Sequence, residues 1–242
     1  MKKLLFLSLM LCACALLSAC GGSEEPAPAP AAEQPAAAEN TDTQPAQEEQ
    51  SKPAATSNRN NTLYEASDGV LKKASTLAEE LTVGEDIVSI DPFAFKDCTK
   101  LKKVTIPATV TSIGEYAFSG CTALETVNFQ SGLTSLGKNA FNGCTALRMI
   151  TLPDSLTAIQ DSTFMGCSSL VTATLPANLT SIGNYVFQDC KALKKITIPA
   201  GVTAIGSSAF SNCTSLQSVE CTKGTAADNA ALYPDSTVVV AK

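Results

Sequence analysis

The chain has 242 residues, a formal net charge of −6, no His and no Trp, and apolar residues make up 45% of it. Histidine is the commonest general base and the commonest metal ligand in proteins, so its absence argues against most hydrolases and metalloenzymes. An acidic chain also lacks the net positive charge typical of proteins that bind DNA or RNA. Composition therefore favours a protein that is not an enzyme and does not bind nucleic acid.

The first 19 residues are typical of a secretion signal. Two lysines precede an apolar stretch at positions 4–17, which is too short to cross a membrane as a permanent helix. The signal is followed by Cys20 in the sequence L-S-A-C, which resembles the lipobox of bacterial lipoproteins. The resemblance implies that Cys20 is acylated, becomes the first residue, and holds the protein at a membrane through its fatty chains. The alternative is an ordinary signal peptide that happens to contain a cysteine.

Residues 20–61 differ in composition from the rest of the chain. Ala, Pro, Glu and Gln dominate, and large apolar side chains are nearly absent. Such a segment cannot bury enough surface to offset the entropy lost on ordering, so it is predicted to be a disordered linker. We expect it to tether a folded domain to the membrane.

From residue 85 onward a single pattern recurs every 23 residues without insertions. One unit is L-x-x-[IV]-x-[IL]-P-x-x-[VL]-T-x-I-G-x-x-A-F-x-x-C. Its Phe column contains Phe95, Phe118, Phe141, Phe164, Phe187 and Phe210. Its Cys column contains Cys98, Cys121, Cys144, Cys167, Cys190 and Cys213. A fixed period of this length indicates a solenoid in which each unit is one coil.

The spacing of apolar residues within a unit predicts its local structure. The alternation at Val104 and Ile106 has a period of two, which is typical of a strand with one buried face, and Pro107 lacks the donor needed to extend it. The spacing of three in A-F-x-x-C predicts a short helical or 3-10 turn. Because one coil cannot bury its own apolar residues, the six coils are expected to stack with their strands in one parallel sheet.

The unit resembles the BspA-like leucine-rich repeat, the 23-residue treponemal type found in bacterial surface proteins. The resemblance implies a leucine-rich repeat solenoid, with a parallel β-sheet on one face and short helical or 3-10 turns on the other, in six repeats over residues 85–222. Residues 62–84 are expected to cap the N-terminal end, with Leu81 and Val83 in the strand columns. Residues 223–242 are expected to cap the C-terminal end, with Tyr233 in the Phe column.

Seven cysteines follow Cys20, an odd number, and there is no C-x-x-C among them and no His to complete a zinc site. Side chains stacked in register point the same way, whereas a disulfide needs Cβ atoms about 3.8 Å apart and turned towards each other. The favoured interpretation is that the column consists of buried thiols acting as small apolar residues. A disulfide between Cys213 and Cys221, and metal or redox chemistry, are the alternatives.

Leucine-rich repeat proteins usually bind ligands on the concave face of the sheet, so the resemblance implies a site among the outward side chains of the strands. The predicted ligand-binding residues are Lys102, Lys103, Asn128, Arg148, Met149, Lys194 and Lys195. This face is more basic than the acidic chain around it, so it is predicted to bind an acidic patch of a partner. The alternative is that the lysines only keep the sheet soluble.

Two other functions receive less support. A glycosidase needs two carboxyl groups whose pKa values a pocket drives apart, and a regular solenoid offers no such pocket. The aspartates are spread over separate coils at Asp91, Asp97, Asp154, Asp161 and Asp189. The threonine column that begins at Thr111 resembles an ice-binding array, but strand propensity also explains it, and the pairs of threonines that ice-binding solenoids favour are missing. We therefore expect no catalytic residues, no cofactor and no metal.

These features predict a lipid-anchored protein of the bacterial cell envelope, located at the outer membrane or cell surface. The acidic pair Glu24 and Glu25, soon after Cys20, resembles signals that send lipoproteins outward in some anaerobes. The partner is predicted to be an extracellular or envelope protein or glycan, bound in adhesion or in host or surface recognition. The alternative is a scaffold within the envelope that docks another membrane protein.

Overall fold

The computed structural model describes residues 63–235 and 237–242. The predicted signal peptide, the lipidation site at Cys20 and the linker at residues 20–61 lie outside the described residues. Within the two described ranges, no helix has the length and apolar character of a membrane span.

Two series of strands alternate along the described part of the chain. The longer strands form what we call the front sheet, which comprises β3 (Glu80–Thr82), β5 (Lys103–Ile106), β7 (Thr126–Phe129), β9 (Met149–Thr151), β11 (Thr172–Thr174), β13 (Lys195–Thr197), β15 (Ser218–Cys221) and β16 (Val238–Ala241). Two-residue strands form the back sheet, which comprises β4 (Ser89–Ile90), β6 (Ser112–Ile113), β8 (Ser135–Leu136), β10 (Ala158–Ile159), β12 (Ser181–Ile182) and β14 (Ala204–Ile205). An antiparallel hairpin precedes both series, made of β1 (Tyr64–Ser67) and β2 (Val70–Ala74), and β2 joins the back sheet by pairing in parallel with β4.

The repeating strands of both sheets are parallel and follow the 23-residue period. In the front sheet Val104 lies opposite Val127, and in the back sheet Ile90 lies opposite Ile113. Val104 is buried while Lys103 beside it is exposed, which is the alternation that predicted the strand. The predicted parallel sheet, and with it the leucine-rich repeat solenoid, is confirmed.

The A-F-x-x-C segments form single turns, where the sequence predicted short helical or 3-10 turns. Cys98 N donates to Phe95 O at 3.1 Å, which is the three-residue spacing that the sequence indicated. Phe95 N, however, donates to Ala117 O of the next coil at 2.7 Å. Because such N–H groups bond between coils, they do not extend a helix within one. Among the described residues, 3-10 helices are assigned near the C-terminus, at Ala226–Asp228 and Ala230–Leu232.

The Phe column forms the centre of the core. All six rings are fully buried, and neighbouring rings stack with their centroids 4.4 to 5.6 Å apart. Tyr233 continues the column at the C-terminal end, with its ring centroid 5.0 Å from that of Phe210. At the other end Leu81 lies opposite Val104 in the front sheet. The same apolar positions therefore recur from one end of the stack to the other.

All seven cysteines of the described residues are buried free thiols, as the favoured interpretation predicted. From Cys121 to Cys213, each thiol of the column donates a hydrogen bond to the carbonyl oxygen of the Phe one coil earlier, at 3.0 to 3.2 Å. Cys213, the alternative disulfide partner of Cys221, makes this bond to Phe187 O. Burial raises the pKa of the Cys121 thiol to about 12, so this thiol is protonated at neutral pH. A buried, protonated thiol is neither a nucleophile nor a metal ligand.

Both sheets are interrupted at the same level of the solenoid. The front sheet divides between β7 and β9, and the back sheet divides between β8 and β10. At every other step from β3 to β16 the front strands are hydrogen-bonded to their neighbours. We call the interrupted interface the seam, with β7 and β8 on one side of it and β9 and β10 on the other.

Candidate functional site

The seven predicted ligand-binding residues are all exposed, and they lie on the outer surface of the front sheet, which we call the front face. The pleat of each strand produces this arrangement. In β9, Met149 and Thr151 are exposed while Ile150 between them is buried. Met149 is the most prominent apolar side chain of this face, at 66% exposed.

A groove of about 1000 Å³ crosses β7, β9 and β11 on the front face. Three of the predicted residues line it, namely Asn128, Arg148 and Met149. The four predicted lysines do not line it. The structure therefore gathers the central predicted residues around one groove and leaves the lysines on coils to either side. A volume of this size is enough for a peptide segment or a small ligand.

Apolar side chains that the sequence analysis did not propose as ligand-binding complete the groove. Phe129, Val171 and Leu175 line it and are only partly buried. Phe129 could have been noticed as a departure from the repeat pattern. The same strand position holds Ile106 and Ile198 in other coils, and both are followed by Pro, whereas Phe129 is followed by Gln. Val171 follows the same outward column as Arg148 one coil later, and it was not among the predicted ligand-binding residues.

The front face is less basic than predicted. Lys102 Nζ pairs with Glu79 Oε2 at 2.8 Å, and Lys195 Nζ pairs with Glu220 Oε1 at 2.7 Å. The hydrogen bond from Lys102 holds the pKa of Glu79 below its usual value. Glu80 lies opposite Lys103 and adds a further acid. Glu79 and Glu80 lie before the six repeats, at the start of β3, so the repeat pattern alone did not show them.

Arg148 is the basic side chain that remains available at the groove. It is exposed, and it has no ion-pair partner among residues 63–235 and 237–242. Glu125, which also lines the groove, is likewise exposed and without an ion pair in that part of the chain. An unpaired guanidinium and an unpaired carboxylate at an apolar groove are suited to binding complementary charges on a ligand.

The aspartates considered for catalysis make structural contacts on separate coils. Asp91 pairs with Lys72 at 3.1 Å, and Asp161 pairs with Lys138 at 3.5 Å. Asp189 Oδ1 accepts from Asn212 Nδ2 at 3.1 Å. In the described part of the chain, no group of three or more Cys, Asp or Glu side chains is placed to hold a metal ion.

The threonine column that begins at Thr111 also makes structural contacts. Thr134 Oγ1 donates to Thr111 O at 3.1 Å, and Thr203 Oγ1 donates to Thr180 O at 3.3 Å. Each such bond links one coil to the coil before it. A hydroxyl that satisfies a neighbouring carbonyl in this way has a structural role, in agreement with the strand interpretation.

Comparison with known proteins identifies the repeat. The family model described as BspA type leucine-rich repeat region matches residues 88–217 in six copies, which is more than half of the chain. No curated protein matches the sequence. Among solved structures, a leucine-rich cell surface protein of Faecalibacterium prausnitzii is 28% identical with a TM-score of 0.51. The match covers 65% of this chain and 51% of that one, so this chain spans about half the length of that relative.

A second solved structure is the leucine-rich repeat protein of T. pallidum. It is 27% identical, covers 65% of this chain and 67% of its own, and has a TM-score of 0.43. The six matched repeats, together with the 23-residue coil and its buried Phe and Cys columns, show that the chain belongs to the BspA-type leucine-rich repeat family.

Proposed function

We propose that this chain is a lipid-anchored protein of the bacterial cell envelope whose repeat domain binds a protein partner through the groove on the front face. The observation that carries the proposal is the groove itself, a recess lined by Met149, Phe129, Val171 and Leu175 on a surface that is mostly polar in the neighbouring coils. Exposed apolar patches rimmed by polar residues are typical of interaction sites. Leucine-rich repeat domains are typically binding modules rather than enzymes, in agreement with this proposal.

The proposed location draws on the N-terminal sequence and on a relative. Cys20 follows a signal of the lipoprotein type, and the acidic linker at residues 20–61 separates it from the repeats. The F. prausnitzii relative is described as a cell surface protein. We infer that Cys20 carries the lipid and that the repeats lie outside the cell, where their role is adhesion or surface recognition.

The binding proposal can be tested by photo-crosslinking from the groove in intact cells. The full chain is expressed with p-benzoylphenylalanine in place of Met149, and a matched variant carries it at Glu115, which is exposed on the turn side. We expect defined adducts from position 149 and none of the same mass from position 115. Equal adducts from both positions, or none from 149, would refute the proposed site.

Protease treatment of the same cells tests the location. Release of peptides from residues 63–242 without lysis is the expected result. Protection until lysis, together with adducts to envelope proteins, would instead support the scaffold role within the envelope, in which the repeats dock a neighbouring membrane protein.

A further inference from the structure

At the seam the two sheets lack the main-chain hydrogen bonds that join the other coils, whereas the turn side keeps them, as from Phe141 N to Thr163 O at 2.9 Å. In the front sheet, Glu125 N donates to Lys102 O and Val171 N donates to Arg148 O, each at 2.8 Å. Arg148 N occupies the same position at the seam and has no such bond within the described ranges. In the back sheet, Thr180 N donates to Thr157 O at 2.8 Å, whereas Thr157 N has no counterpart bond to Thr134 O.

The gap in the back sheet coincides with a change in a column of glycines. The residue after the back strand is glycine in four coils, at Gly114, Gly137, Gly183 and Gly206. A Cβ at Gly137 would lie 2.6 Å from Glu115 N, and one at Gly183 would lie 2.7 Å from Asp161 N, both in the preceding coil. The coil that follows the seam has Gln160 at this position. A Cβ at this position is not compatible with the 2.6 to 2.7 Å approach of the glycine coils. The first coil has Asp91 here, but it stacks on the N-terminal hairpin, where Asp91 N donates to Leu71 O at 2.9 Å.

The gap in the front sheet coincides with Phe129. It stands where Ile106 stands one coil earlier, and its ring is only partly buried. The ring meets Phe141 edge-on, with the centroids 6.2 Å apart and the planes at 87°. A large ring therefore stands at the edge of the seam, in a position that holds Ile, Leu or Cys in the other coils.

The remainder of the interface is intact, so the coils on the two sides of the seam stay packed together. Phe118 and Phe141 stack with centroids 5.0 Å apart, and Cys144 Sγ donates to Phe118 O at 3.2 Å. On the loop side, Ser155 Oγ donates to Leu133 O at 2.6 Å. The groove on the front face lies over this opening, because its lining includes residues of both β7 and β9.

An ion pair that forms between two other coils is missing at the seam. Glu79 and Lys102 occupy one column in adjacent coils and pair at 2.8 Å. Glu125 and Arg148 occupy the same column on the two sides of the seam, yet neither has an ion pair in the described part of the chain. The next residue of this column is Val171, which is partly buried in the groove. Over three successive coils this column therefore holds an acidic, a basic and an apolar side chain, namely Glu125, Arg148 and Val171.

We propose that the seam is a built binding cleft for an extended peptide segment that presents a basic, an acidic and an apolar side chain in this order, and that Phe129 and Gln160 hold it open. The basic side chain pairs with Glu125, the acidic one with Arg148, and the apolar one packs beside Val171 and Met149. This inference rests on the proposed function of the groove and names the chemistry of its partner. Gln160 is a positioning residue, because it follows the back sheet and does not line the groove. Phe129 lines the groove and is also proposed to hold the strands apart.

A charge-reversal experiment tests the pairing. The probes are two fluorescent peptides, acetyl-Lys-Ser-Asp-Ser-Leu-amide and its charge-swapped form acetyl-Asp-Ser-Lys-Ser-Leu-amide, titrated with the full chain by fluorescence polarisation. We expect the wild type to prefer the first peptide about fivefold, the effect of an exposed ion pair. The double variant E125R/R148E should prefer the second. The matched control K191E, which changes an exposed lysine that does not line the groove, should keep the wild-type preference.

Closing the seam tests the role of the positioning residues. The variant F129I/Q160G restores the residues that other coils have, so amide hydrogen exchange at Arg148 and Thr157 should slow to the rate of Val171 and Thr180. Peptide binding should be lost although the fold is retained. If this variant does not fold, amide hydrogen exchange of the wild type still tests the inference. Slow exchange at Arg148 and Thr157 would mean that no seam exists.

Failure of the inference differs from failure of the proposed function. Adducts from position 149, together with absent peptide binding or an unchanged preference in E125R/R148E, would overturn the cleft chemistry and leave a binding surface. An absence of adducts from position 149 would overturn the binding surface itself.

Discussion

At the scale of single residues, each coil is built around one Phe and one Cys that contact the coil before it. Phe141 is fully buried and stacks between Phe118 and Phe164, with centroid distances of 5.0 and 5.6 Å. Cys144 donates its thiol proton to Phe118 O at 3.2 Å. The ring supplies buried area and the thiol satisfies a backbone carbonyl, so the recurrence of the pair has a structural cause in every coil.

Replacing Phe141 with Ala should lower the free energy of unfolding by about 3–5 kcal/mol, through lost burial and the cavity left between two rings. Urea denaturation of the full chain measures the change. Met149→Ala is the matched control, because that side chain is 66% exposed, and its effect should stay within about 0.5 kcal/mol. Similar losses in the two variants would contradict the placement of the Phe column in the core.

The thiols predict an alkaline limit to stability. Burial raises the pKa of Cys121 and of Cys213 from 9.0 to about 12, and raises those of Cys144, Cys167 and Cys190 well above 9.0. Above pH 9 the unfolded chain loses these protons while the folded chain keeps them, so the free energy of unfolding should fall as pH rises. Each thiol contributes up to about 1.4 kcal/mol per pH unit.

Urea midpoints at pH 8 and pH 10 measure this effect. Cys144→Ala should be less stable than the wild type at pH 8 but should lose less stability between the two pH values. Equal slopes in the two proteins would show that Cys144 ionises as readily in the folded chain as in the unfolded one.

At the scale of elements, the strands of a coil could be predicted from the sequence only where they are long enough to show an alternation of apolar and polar residues. The front strands alternate over three or four residues, and the alternation at Val104 and Ile106 identified them. The back strands, such as Ser112–Ile113, are two residues long, which is too short to show a period, so the sequence did not predict a second sheet. The hydrogen bonding of the A-F-x-x-C turns was not predicted either. Their N–H groups bond to the next coil, and the spacing of residues within one coil does not show this.

Gly137→Ala should destabilise the chain by about 1–3 kcal/mol, because the added Cβ would lie 2.6 Å from Glu115 N in rigid backbone. Gly201→Ala is the control, since its Cβ would meet a single carbonyl oxygen at 3.0 Å and the cost should be smaller. Thermal unfolding of the two variants gives the comparison. A larger loss at Gly201 would argue against close backbone contact as the reason for the glycine column.

At the scale of the whole molecule, the stack behaves as a row of coils in which each contacts only its neighbours. The strict period predicted this arrangement, and it predicted which side chains reach the front face. The period did not predict the groove. The groove lies at the seam, where we relate the missing strand hydrogen bonds to two departures from the pattern, Phe129 and Gln160. Nor did the period predict the ion pairs of Lys102 and Lys195, which depend on distances between coils.

The seam predicts that the stack unfolds in two steps. Hydrogen exchange under increasing urea should show residues 63–137 and residues 138–242 losing protection at different concentrations, because the interface between them lacks both strand ladders. F129I/Q160G should merge the two steps into one. A single cooperative transition in the wild type would show that the turn-side contacts couple the halves fully.

The thiol column has a consequence for how the chain reaches its folded state. Before the coils stack, the seven cysteines of the repeats and C-terminal segment are accessible along a flexible chain, and in an oxidising compartment any two could join. Once a coil closes, its thiol is buried against a carbonyl oxygen and thiol exchange stops. Each added coil therefore removes one reactive group. If the chain folds in an oxidising compartment, as the proposed location implies, it has to fold faster than its thiols are oxidised. A mutation in the Phe column that keeps the coils apart would then expose the chain to covalent trapping before its core is complete.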